Sequence, residues 1–239
     1  MKKLLLISLA FAGMLGVSAQ DINDPNAEVR EAKNFHAINI SNAFDVFLSQ
    51  GNEEAVAVSA SEKKFQDHIK VSVEDGVLKI RFENDDKFWK GLGGNKMKLK
   101  VYISFKAIDR LTASGACDLV VKGVLKADKL DIALSGASDM KGKLDVQDLA
   151  VVLSGASDMQ VTGNAMKLKV DANGASDFKS FDLLTDYCEA TASGASDIHV
   201  TVNKELTAHA SGASDINYKG SGMVKDVRSN GASSVSHKS

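Results

Sequence analysis

Six aspartates, Asp118, Asp139, Asp158, Asp177, Asp197 and Asp215, recur at steps of 18 to 21 residues. Each closes a pentapeptide of the type Ser-Gly-Ala-Ser-Asp, and a final copy ends in Ser234 instead. Stacked carboxylates could chelate Ca²⁺, a hard cation that favours oxygen ligands. They could equally anchor turns, since Asp and Ser side chains bond the N–H groups of a tight bend. Unit charges ~4.8 Å apart repel by nearly 1 kcal/mol even in water, so such a row must be solvated, neutralised or anchored. Ser234 keeps a turn-bonding oxygen while dropping the charge, which suits anchoring better than chelation. The expectation is a structural turn ladder, with no metal and no cofactor.

Other chemistry is sparse. His36, His68, His199, His209 and His237 show no metal-ligand spacing. Ser-Gly-Ala-Ser-Asp lacks the second glycine of a nucleophile elbow. Lys141, Lys179, Lys219 and Arg228 scatter, unlike the clustered groups of β-helical enzymes that cleave polysaccharides. No catalytic residue is expected. Phe88 and Trp89, in a glycine-rich stretch, form the candidate binding site: an indole can stack on a sugar ring, or fold back over a solenoid end.

The elements that hold these residues follow from the repeat. Its glycines stand at Gly115, Gly136, Gly155, Gly174, Gly194, Gly212 and Gly231. A period that slips by a residue or two marks a solenoid, whose loops absorb insertions. Aligned on glycine, three apolar ladders emerge before it: Leu130, Leu149, Leu168, Cys188; then Ile132, Val151, Val170, Ala190; then Leu134, Leu153, Ala172, Ala192. A further ladder follows it: Leu119, Met140, Met159, Phe178, Ile198, Ile216. Alternation by two, repeated in register, buries one face of a strand per coil. The glycine and the alanine after it form the corner, where a side chain larger than methyl should crowd the next coil. About 19 residues per coil give a path of ~60 Å, enough for three short strands around a filled core. Calcium β-rolls, hexapeptide helices, leucine-rich repeats and threonine-faced ice binders fail on motif detail. The expected fold is all-β, a right-handed parallel β-helix, or β-solenoid, over 107–239.

In chain order, residues 1–19 read as a signal peptide: Lys2-Lys3, an apolar run, then Val17-Ser18-Ala19. The apolar run is shorter than a membrane span, so no transmembrane segment is expected after cleavage. Removing Lys2 and Lys3 takes the formal charge from −2 to −4, a balance that gives nucleic acid no basic patch to bind. Residues 20–34 are polar and read as a flexible lead-in. Residues 35–106 form an N-terminal β region without the pentapeptide, expected as wider coils or a cap. It holds a helical turn with Ser61 as its cap, a hairpin over 69–82 turning at Asp75-Gly76, and a long loop over 84–96. Cys117 and Cys188 lie four coils apart by this register, ~19 Å, too far for a disulfide.

The stretches Phe35–Ile40, Phe44–Gly51 and Asp75–Ile80, with the serial Ser-Gly-Ala-Ser-Asp turns, resemble the autotransporter-adhesin "head GIN domain" family of exported Bacteroidetes proteins. That resemblance implies a right-handed β-helix and an adhesin-like role, with no catalytic motif to carry across. With the last residue at Ser239, no translocating barrel is expected. The function expected is a non-enzymatic module of the periplasm, outer surface or secreted fraction, presenting a rigid face to a surface glycan or another envelope protein. The alternative is a polysaccharide-active lyase or hydrolase.

Overall fold

The structure is a computed structural model that describes residues 24–83 and 97–239. It is nearly all-β, with almost no helix, and winds into a β-solenoid of about 7 turns with parallel bridges ~19 residues apart. The N-terminal elements are β1 (Glu28–Arg30), β2 (Ala37–Asn42), β3 (Asp45–Gln50), β4 (Ala55–Ala60), α1 (Lys63–Gln66), β5 (Ile69–Glu74), β6 (Val77–Phe82) and β7 (Leu99–Phe105). The repeat follows as β8 (Arg110–Gly115), β9 (Asp118–Gly136), β10 (Asp139–Leu153), β11 (Asp158–Ala172), β12 (Asp177–Ala192) and β13 (Asp197–Gly212). It ends in β14 (Asp215–Lys219), β15 (Met223–Gly231) and β16 (Ser234–His237).

Each coil has a first face before the glycine corner, a second face after it, and a third side that closes the path. The ladders seen in the sequence point inward: Leu134, Leu153, Ala172, Met140, Met159 and Phe178 are all buried. Packing is conserved by volume. Where the first face narrows from Leu153 to Ala172, the second widens from Met159 to Phe178, so the core stays filled. The third side carries its own inward row, Val146, Ala165, Thr185 and Val202, whose mixture of small and polar residues does not read as an apolar ladder in the sequence. Most slips are absorbed where the second face meets this side. Register shifts there between Lys141 and Lys143, and between Met159 and Gly163. Others fall between Thr185 and Tyr187 and between Leu206 and Thr207.

The corner corrects one expectation. Ala156 is exposed, so the alanine position is not the crowded one. The glycine is: Gly155 has φ +81°, and a Cβ there would lie 2.5 Å from the carbonyl oxygen of Gly136. That carbonyl already accepts the Ala156 N–H at 2.7 Å. Coil-to-coil hydrogen bonding and a left-handed backbone together exclude any side chain. The buried members are the serines, with Ser138, Ser157, Ser176, Ser196 and Ser214 all at 0 % exposure. Ser157 Oγ donates to the Ser154 carbonyl at 3.1 Å and accepts the Ser138 N–H at 3.3 Å. Ser138 and Ser196 do the same, each satisfying one carbonyl in its own turn and one amide in the preceding coil, as a buried polar group needs.

The N-terminal region is a cap woven into the stack. β2 lies between β6 and β8, and β3 between β7 and β9, all parallel. Chain order is thus interleaved, because β6 and β7 come later in sequence yet stack beneath β2 and β3. β4 and β5 then pair antiparallel with β7 and β6, and β1 with β4. Asp75 and Gly76 both have positive φ, as the hairpin turn expected there requires. The helical turn starts later than expected, with Glu62 at its N-cap and no side-chain cap bond. Ser61 instead accepts the Lys98 N–H on its hydroxyl. Within the stretch read as a lead-in, Glu28–Arg30 forms β1, and Asp24 accepts hydrogen bonds from Tyr102 and Lys100. Ser41-Asn42-Ala43-Phe44-Asp45 proves to be one more corner. Asn42, at φ 87°, pairs with Gly115, and Asp45 with Asp118. The N-terminal strands therefore do contain the motif, disguised by Asn for Gly and Phe for Ser.

Candidate binding groove

In-register parallel strands stack equivalent side chains into rows along the solenoid axis. On the outside of the first face, one row runs Lys129, Asp148, Lys167, Tyr187, Glu205. Two residues further, a second runs Asp131, Ala150, Lys169, Glu189, Thr207. Between the third side and the first face these rows line a groove of about 430 Å³. Its lining holds four lysines (Lys129, Lys167, Lys169, Lys225) and four carboxylates (Asp131, Asp148, Glu189, Glu205), so its formal charge is zero.

The charges pair across and along the coils. Lys169 meets Glu189 at 3.0 Å, Lys167 meets Asp148 at 3.4 Å, and Lys225 meets Glu205 at 2.6 Å. Such solvated pairs add at most ~1 kcal/mol each to stability. Their effect is to order long side chains while leaving donors and acceptors facing outward. The hydrogen bond to Glu189 raises the Lys169 pKa, so its ammonium stays charged. Tyr187 is the aromatic wall, 38 % exposed, with the Lys204 ammonium 5.5 Å from its ring centroid. Beneath it Cys188 is buried, and desolvation pushes its thiol up to about 12. It is a core residue and not a nucleophile; both Cys117 and Cys188 are free thiols.

The expected aspartates form a separate line along the corner. Asp139 accepts the Asp158 N–H at 3.3 Å, and Asp177 the Asp197 N–H at 3.3 Å. Asp215 accepts the Ser234 hydroxyl at 2.7 Å, and Asp177 pairs with Lys179. Apart from the Lys179 pair, these bonds reach the following coil, where the sequence suggested bonds within each turn. A smaller hollow of about 230 Å³ lies there, lined by Asp139, Asp158, Lys141, Gln160 and Lys179. Among the described residues no group of His, Cys, Asp or Glu has the geometry of a metal site. Phe88 and Trp89 lie outside the described residues. Tyr187 and the two charged rows were missed by sequence reasoning. Their signal was present seven and five positions before each glycine, but alternating signs there look like ordinary solvated surface.

The sequence profile described as "Putative auto-transporter adhesin, head GIN domain" matches residues 34–222. The chain belongs to this family. The head GIN fold recurs in a protein titled "putative adhesin" from Bacteroides fragilis, with TM-score 0.77 and 20 % identity over 89 % of this chain and 96 % of that one. A "putative adhesin" from Parabacteroides distasonis gives TM-score 0.71 at 18 % identity over 89 % and 96 %. A "putative lipid binding protein" from the same species gives 0.66 at 19 % over 90 % and 97 %. At these identities the likeness shows the fold alone. No curated protein matches the chain. Among the described residues no helix is long and apolar enough to cross a membrane.

Proposed function

We propose that this head GIN protein is an exported, non-enzymatic module of the cell envelope or surface that holds a neutral, hydroxyl-rich glycan in the first-face groove. The observation that carries this reading is the groove's balanced charge beside an exposed tyrosine. Ammonium groups donate to sugar hydroxyls and carboxylates accept from them, while the Tyr187 ring offers a stacking surface. A net charge of zero gives polyanions no advantage, which disfavours nucleic acid. The family's adhesin description supports a surface role, and the start of the sequence supports export.

The Asp118–Asp215 line is proposed to hold the coils together without metal, and Phe88 and Trp89 as a second sugar contact. A glycan array coupled to a reducing-sugar release assay tests the whole. Binding without turnover, lost in Tyr187→Ala, supports the groove; loss only in Trp89→Ala moves the site to the 84–96 stretch. Turnover would instead establish the polysaccharide-active alternative. A calcium-dependent rise in melting temperature, abolished by Asp158→Ala, would make the aspartates a metal site.

A further inference from the structure

The C-terminal coil leaves a strand edge and part of its core open. Among the described residues no strand pairs with the outer edge of β15, whose other edge pairs with β13. Val227 continues the buried ladder of Val170, Ala190 and Ala208, yet it is 44 % exposed, and neighbouring Met223 is 61 % exposed. Open strand edges template further pairing, and solenoids ordinarily cover them with a polar cap. The opposite end is covered in this way; among the described residues this one is not.

The sequence of β15 says what fits. An identical strand laid antiparallel must match inward residues with inward ones, so the dyad must fall on a residue. A dyad at Asp226 sets Asp226 against itself, and a dyad at Arg228 sets Arg228 against itself. A dyad at Val227 pairs Asp226 with Arg228 of the second copy, twice by symmetry, and joins the two Val227 side chains over the exposed core. Like charges directly opposite destabilise a strand pair and opposite charges favour it. We propose that the protein forms a two-fold dimer, C-terminal end to C-terminal end, through antiparallel β15 pairing centred on Val227. A two-fold contact is closed, so it covers the edge without nucleating a fibre. It also makes one longer rod with two grooves, able to hold a repetitive ligand with avidity.

Sedimentation equilibrium of the protein over a concentration series tests this, with small-angle scattering for length and melting temperature for fold. The expected result is a monomer–dimer equilibrium with a longer maximum dimension in the dimer. Asp226→Arg or Arg228→Asp alone sets like charges opposite and should weaken the dimer by at least ~10-fold. The double exchange Asp226→Arg/Arg228→Asp should restore it. A monomer throughout, assembly beyond the dimer, or a double exchange as weak as the single changes while all variants melt alike would overturn the proposal. Glycan binding by a monomeric Arg228→Asp variant would separate this contact from the groove.

Discussion

At the N-terminal end β1, β4 and β5 run antiparallel to the strands they join, and α1 packs on β4. At the C-terminal end β15 and β16 run parallel to the strands before them, and among the described residues nothing lies beyond. Reversing strand direction breaks the coil path, so the capped end cannot template another coil. The other end keeps the repeat's direction and corner chemistry to the last strand, and so remains a template. The difference shows in burial: Phe65, Val58 and Ile80 in the cap are fully covered, whereas Val224 and Val227 in β15 are exposed. A solenoid thus needs a device to stop, and among the described residues such a device stands at the N-terminal end.

Substitutions at matched places would break or sharpen that contrast. The largest effect is expected in the cap. Phe65→Ala empties a side chain with 0 % exposure and should cost about 3–5 kcal/mol in chemical denaturation. Gly155→Ala, at a central corner, should cost roughly 1–3 kcal/mol from positive φ alone, with the clash against Gly136 adding to it. An unchanged midpoint would mean the corner ladder can move.

Asp24→Asn should cost about 1–2 kcal/mol at neutral pH, by weakening the charge-assisted bonds that tie residue 24 to β7. Burial raises the Asp24 pKa, but hydrogen bonds from Asn26, Tyr102, Ser59 and Lys100 outweigh it and hold the carboxyl below its ordinary 3.8. Its contribution is therefore complete above the unfolded value and is lost as pH falls through the lower folded one. The wild-type advantage over Asp24→Asn should shrink below about pH 4, measured as melting temperature against pH. The smallest effect is expected at the open end. Val227→Ala, measured dilute enough to be monomeric, should cost under ~1 kcal/mol, because a half-exposed side chain has little burial to lose. Backbone amides of β15 should also exchange faster than those of β6, as ends held from one side open locally.

What the sequence determined by itself was the set of apolar ladders that repeat in step with the glycine corner. Each buried position on the first two faces has its neighbour one coil away on the same chain, so spatial contact becomes sequence period. Gly155, Leu153 and Met159 could be assigned before any coordinates for that reason. The fold class and the coil length followed in the same way, while the 69–82 hairpin was legible from local alternation about Asp75-Gly76. Tertiary structure alone decided what breaks the period. The third side was hidden because its inward row mixes Val146 with Ala165 and Thr185, small and polar residues that carry no apolar signature until they are seen to be buried. The corner at Asn42 was hidden because Phe44 fills core that serine occupies elsewhere. The interleaving of β6 and β7 beneath β2 and β3 was illegible, since those pairings join strands at no regular separation. The groove's rows keep fixed offsets from each glycine, but charges of alternating sign read as ordinary solvated surface until the structure shows them lining one groove. The exposed corner alanine shows the same limit: Gly and Ala look equally small in sequence, and only the direction of the Cβ, outward at Ala156 and into a neighbouring carbonyl at Gly155, separates them.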